Sequence, residues 1–146
     1  MKSHPAASQD QHWNWLFLAW LIALASTLGA LFLGEVMGMT PCILCWYQRI
    51  AMFPLVLILG LGLLPFDARC VRYALPLAAL GWGVALYHSL LFGGWIPKGL
   101  VPCGQGASCT DVKAELFGFL SLPLLSLGAF SLVIVLLCVV KKGCSK

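Results

Sequence analysis

The chain has 146 residues, enough for one domain, with 61% hydrophobic residues, 10% charged residues and a formal net charge of +4. An ordinary soluble domain carries about 25% charged residues, so a small soluble globule that hides this much apolar surface is excluded and a bilayer is the natural solvent. The positive balance is accounted for below by membrane orientation and contact with anionic lipid; it calls for no nucleic-acid partner.

Charge divides the sequence in chain order. No Lys, Arg, Asp or Glu lies between Asp10 and Glu35, between Arg49 and Asp67, between Arg72 and Lys98, or between Glu115 and Lys141. A spanning helix needs about 20 predominantly apolar residues. Four spanning helices are therefore predicted, at about 14–34, 46–64, 73–93 and 118–140, in a single membrane domain over 1–146. The first apolar run is too long for a signal-peptide core and reads as the first span. The second gap is short, so its helix begins before Arg49 and holds that residue in its first turns. The polar segment 1–12 is expected to be poorly ordered. Pro54 and Pro123 are expected to kink helices 2 and 4. Trp13, Trp15, Trp46 and Trp95 fall near predicted interfaces and read as an aromatic belt.

An even number of spans puts both termini on one side. The N-terminal tail, the turn around 65–72 and the C-terminal tail carry Lys2, Arg69, Arg72, Lys141, Lys142 and Lys146, whereas the other two loops, 35–45 and 94–117, carry Lys98 and Lys113. The positive-inside rule then predicts that both termini are cytoplasmic. This topology sorts the seven cysteines. Cys42 with Cys45, and Cys103 with Cys109, form two close pairs on the extracytoplasmic, oxidising side; Cys70, Cys138 and Cys144 remain on the reducing side, where no catalytic role is assigned to them.

The first pair opens helix 2 within Pro41-Cys42-Ile43-Leu44-Cys45-Trp46-Tyr47-Gln48-Arg49. A helix N-terminus carries partial positive charge, which stabilises a thiolate, the species that exchanges disulfides. Cys42 and Cys45 are three apart, and Cys45 and Arg49 four apart, so all three share one helical face. Arg49 is then a fixed cation at membrane depth, costly and hence a candidate functional residue. It is able to stabilise a Cys45 thiolate or charge on a reduced acceptor; the bland alternative is an arginine reaching for the headgroups.

The second pair, Pro102-Cys103-Gly104-Gln105-Gly106-Ala107-Ser108-Cys109, has the spacing of a small disulfide loop in an exposed connection. Alone it reads as a staple; beside another pair on the same side, exchange between the pairs stands as a second reading. Zinc bound by the four cysteines is disfavoured, since Cys-x5-Cys is an unusual half-site and the compartment is oxidising. His88, near the outer end of helix 3, is able to hydrogen-bond or protonate an acceptor oxygen, or simply to be satisfied by a neighbouring helix. Glu35 either marks the end of helix 1 or pairs with Arg49.

These motifs resemble the DsbB family of disulfide bond formation proteins, most closely its shorter BdbC-type branch. The likeness covers nearly the whole chain: the four spans, Pro41 to Arg49, the pair Cys103 and Cys109, and Gly118-Phe119-Leu120-Ser121-Leu122-Pro123 at the start of helix 4. The resemblance implies an enzyme that reoxidises an extracytoplasmic thioredoxin-fold dithiol partner and passes the electrons to a membrane quinone, ubiquinone or menaquinone. Cys103 is then the sulfur attacked by the partner, Cys109 completes its pair, Cys42 and Cys45 take the electrons, and Cys45, Arg49 and His88 meet the quinone. A bacterial inner (plasma) membrane follows as the expected location. Competing readings are a reductase running electrons outward, a relative of the vitamin K epoxide reductases, and a non-catalytic adaptor whose outer loops are stapled by disulfides.

Overall fold

The computed structural model describes residues 5–95, 115–116 and 120–144. The chain forms four long helices: α1 Pro5–Leu31, α2 Ile43–Leu63, α3 Cys70–Phe92 and α4 Leu122–Cys144. All four are long and apolar enough to cross a membrane. α1 packs against α2 and α4, and α3 against the same two helices, closing a ring of four. The beginning of α1 lies beside the end of α4, where the His12 ring rests on Gly143. Cys42 and Cys45 stand at the opposite end of the bundle, where α2 begins.

Several boundaries differ from the sequence reading. α1 starts at Pro5, so residues 5–12 are helical rather than a loose tail. Proline is tolerated in a first turn, where its missing N–H has no helical partner in any case, and Ala, Gln and Ser that follow allow the helix to continue beyond the apolar run. α4 begins at Leu122, later than expected, because Leu120–Ser121 pairs antiparallel with Glu115–Leu116. Pro123 therefore occupies the first turn of α4 and does not kink it. The prolines inside helices are Pro54 in α2 and Pro76 in α3. The sequence reading passed over Pro76.

α1 does not stop where its α-helical ladder ends. Residues Phe32–Val36 continue it as a single π-helical turn, with Met37 N–H donating to Phe32 O and Met39 N–H to Leu33 O. Such widened turns are rare and concentrate at functional sites. α3 closes differently. Gly94 adopts a positive φ of 75°, and Gly94 N–H and Trp95 N–H return to Leu91 O and Leu90 O. That Schellman closure satisfies two terminal carbonyls.

The core is built from small residues facing large ones. Leu16, Ala19 and Ala23 of α1 meet Leu55 and Leu59 of α2, Ala74, Ala78 and Ala85 of α3, and Phe130, Val133 and Leu137 of α4. The Phe130 ring lies directly over Gly81, where any Cβ would collide with it. Small residues let membrane helices approach closely, and packing must do the work that the hydrophobic effect does in water. Large apolar side chains face outward, among them Leu57, Leu61, Leu80 and Val135, as expected of a surface solvated by lipid. A smaller cluster of Cys42, Leu44 and Leu91 closes the cysteine end, with Cys45, Val84 and Tyr87 packed against it.

Candidate redox site

Helix α2 positions the first cysteine pair through its own start. Cys42 is the N-cap residue, with extended backbone (φ −69°, ψ 165°), and its Sγ accepts from Cys45 N–H at 3.3 Å. An N-cap acceptor is usually an oxygen that satisfies an otherwise free helical N–H. Here the acceptor is sulfur, so the positive end of α2 is directed at Cys42 Sγ. The two sulfurs are 2.7 Å apart, close enough for one thiol to donate to the other.

Cys42 is buried and Cys45 half-buried, and both are free thiols. The Cys42 thiol is held well below the ordinary thiol range. The hydrogen bond from Cys45 Sγ is the largest cause; bonds from His88 and from Cys45 N–H add to it, and burial opposes it.

His88 of α3 lies beside this sulfur. Its Nε2 is 3.8 Å from Cys42 Sγ, and its Nδ1 is 3.1 Å from Gln48 Nε2. Ser126 of α4 donates from Oγ to Gln48 Oε1 at 2.6 Å. A polar chain therefore runs Ser126, Gln48, His88, Cys42, Cys45 across three helices, in a bundle end that is otherwise apolar. Gln48 and His88 are buried. Buried polar groups in a membrane protein are costly unless partnered, and here each has a partner. The sequence reading singled out His88 but neither Gln48 nor Ser126. Their signal was a polar residue within an apolar span, masked in Gln48 by the adjacent Arg49.

Arg49 shares the face of α2 with Cys42 and Cys45, but its guanidinium turns toward α1. It donates to Ala30 O at 2.6 Å and lies over the Trp46 ring, 5.6 Å from the centroid. A carbonyl has two lone pairs, so Ala30 is able to accept this bond beside the α-to-π junction. Gly34, inside the π turn, makes the approach possible: a Cβ there would lie 3.1 Å from Arg49 Nη2. Glu35 is exposed, and Arg49 bonds the Ala30 carbonyl rather than pairing with it.

Cys103 and Cys109 lie outside the described residues. Of the remaining cysteines, Cys70 and Cys138 are free and half-buried, and Cys70 lies in the turn region at the far end, against Gly62. Cys42, Cys45 and His88 bring three ligand atoms within 4.8 Å of one another. That spacing also suits a soft metal ion; a capped thiol pair beside an imidazole equally suits thiol–disulfide exchange.

The class defined by fold and site is a multi-pass membrane protein with a thiol pair capping a spanning helix. The chain matches the family model described as "Disulfide bond formation protein DsbB" over residues 11–140. It is 48% identical over 131 residues to a "Probable disulfide formation protein" of Metapseudomonas resinovorans, covering 89% of this chain and 91% of the relative. It is 41% identical over 128 residues to "Disulfide bond formation protein C" of Bacillus subtilis (strain 168), covering 86% and 91%. A "Probable disulfide formation protein" of Deinococcus radiodurans is 40% identical over 130 residues, covering 84% and 85%. No solved structure matches the chain. The chain belongs to the DsbB family, and its role is that of a membrane redox enzyme in disulfide bond formation.

Proposed function

We propose that this enzyme is a quinone-dependent oxidase of protein dithiols in a bacterial inner (plasma) membrane. Both termini are cytoplasmic, and Cys42, Cys45, Cys103 and Cys109 face the extracytoplasmic side. The observation that carries the reading is Cys42 as a sulfur N-cap of a spanning helix, with Cys45 against it and the Arg49 cation one turn further on. A stapled adaptor gives no reason for a cation at that depth or for a thiol held in its anionic form.

The exchange balances in pairs. A thioredoxin-fold partner gives up two electrons and two protons as its dithiol becomes a disulfide, and the Cys103–Cys109 disulfide becomes a dithiol. That dithiol is reoxidised as the Cys42–Cys45 disulfide is reduced. A quinone, ubiquinone or menaquinone, supplies the final sink for two electrons and two protons.

The residues at the cysteine end fit such a group. Trp46 and Ile50 are exposed apolar faces open to lipid. Arg49 is a half-buried donor fixed by Ala30 and Trp46, and a carbonyl at an apolar face wants such a donor. Cys45 is the half-buried member of the pair, and with Arg49 it is the residue that would meet the quinone. His88 has both ring nitrogens engaged, by Cys42 and Gln48, and in this reading it serves the sulfur rather than the quinone. The helix end and His88 stabilise a thiolate at Cys42.

The deciding experiment is quinone reduction by the purified protein supplied with a reduced Cys-x-x-Cys thioredoxin-fold protein, beside Cys45→Ser. Turnover that disappears in the variant is expected. Absence of turnover with either quinone, together with outer pairs that resist mild thiols, would leave the stapled adaptor.

A further inference from the structure

In the orientation that the structure gives Gln48, each end of its amide meets a different neighbour. The Ser126 hydroxyl donates to Gln48 Oε1 at 2.6 Å. With the amide in that orientation, its NH2 group faces His88 Nδ1, 3.1 Å away. An amide nitrogen only donates, so Nδ1 must accept. The neutral imidazole then carries its proton on Nε2, and Nε2 is the nitrogen that faces Cys42 Sγ at 3.8 Å. The opposite tautomer would present a lone pair to the sulfur and could stabilise only a protonated thiol.

We propose that Gln48, anchored by Ser126, is a positioning residue that fixes the His88 tautomer presenting Nε2–H to the Cys42 sulfur. The proposal rests on the reading of Cys42–Cys45 as the redox pair. It assigns to α4 a part in the chemistry: Ser126 holds the amide, the amide holds the ring, and the ring turns Nε2–H toward Cys42 Sγ. The same logic, in which one ring nitrogen's partner decides what the other nitrogen offers, governs histidines in many active sites. Among the described residues, the titratable or charged groups around Cys42 are Cys45 and Arg49 from α2, and Tyr87 and His88 from α3. Of these, His88 is bonded by Gln48.

The test uses the full-length protein in bilayers, with reduced cysteines and 15N-labelled histidine, the His88 signals assigned by difference against His88→Gln. The expected wild-type spectrum has the His88 proton on Nε2. In Gln48→Glu the carboxylate only accepts, so Nδ1 gains a proton. In Gln48→Leu the tautomers mix, and Cys42 alkylation at fixed neutral pH slows roughly threefold to tenfold, the effect of one lost hydrogen bond. A wild-type proton on Nδ1 overturns the proposal. So does a Gln48→Leu protein whose tautomer and alkylation rate are both unchanged. If that variant does not fold, the wild-type and Gln48→Glu spectra decide. No quinone or partner protein enters these measurements, so failure of the oxidase reading would appear only in the turnover experiment.

Discussion

At the scale of single residues, the chemistry depends on which sulfur holds charge. Cys42 is lowered from the ordinary thiol range of about 8.5, first by the Cys45 hydrogen bond and then with help from His88 and the Cys45 backbone N–H. A thiol lowered in the folded state contributes stability that is complete above its unfolded value and declines as pH falls through the folded value. Two outcomes are expected of the reduced protein. Iodoacetamide reacts with Cys42 at pH 6 to 7, where an ordinary thiol is largely protonated, and the reduced protein is stabilised relative to Cys42→Ala at pH 8 more than at pH 4. Mass spectrometry of alkylated peptides and thermal denaturation at the two pH values check this. A Cys42 rate that rises only above pH 8 would remove the thiolate assignment.

At the scale of elements, two helix ends meet at the site, and each departs from a plain α-helix for a physical reason. α2 starts with sulfur in the N-cap position, which turns the helix end into an electrostatic device. α1 finishes in a π turn, where Gly34 leaves room for the Arg49 guanidinium. Substituting Gly34 by Val should push Arg49 off Ala30 and weaken quinone binding. The expected change is a KM for quinone raised roughly tenfold, the lower end for losing one charge-assisted bond, with kcat little changed. Arg49→Lys should shift KM in the same direction, because an ammonium lacks the planar fork that spans Ala30 and Trp46. Steady-state kinetics against quinone concentration measures both; an unchanged KM in Gly34→Val would show that the π turn has no part in acceptor binding.

At the scale of the whole molecule, the ring of four helices carries its polar chain and Arg49 at one end and, among the described residues, Arg69, Arg72, Lys141 and Lys142 at the other. The separation predicts a topology that labelling can read. Glu35 and Asp67 are both exposed, at opposite ends. A membrane-impermeant maleimide added to intact spheroplasts should label Glu35→Cys and spare Asp67→Cys, each compared with the parent protein. The reverse pattern would invert the orientation and place the redox pair in the reducing compartment, where disulfide formation has no role.

The spans were readable because a charge inside a bilayer is expensive, so the gaps between charges mark the helices with little reference to anything else. The shared face of Cys42, Cys45 and Arg49 was readable as well, since helical periodicity is a local property. Boundaries were less so: the position of Pro123 alone left the start of α4 open, and nothing in the composition of Phe32–Val36 announces a π turn. The contacts that make the site selective lay beyond reach. Arg49 with Ala30, His88 with Cys42, and Gln48 with Ser126 each join residues on different helices. Spacing along the chain says which face a residue shares, whereas the partner across the bundle is set by how four helices pack. The amino-acid sequence by itself determined a four-helix membrane protein with a thiol pair at a helix start; only the tertiary structure decided which sulfur the imidazole faces and what holds that imidazole in place.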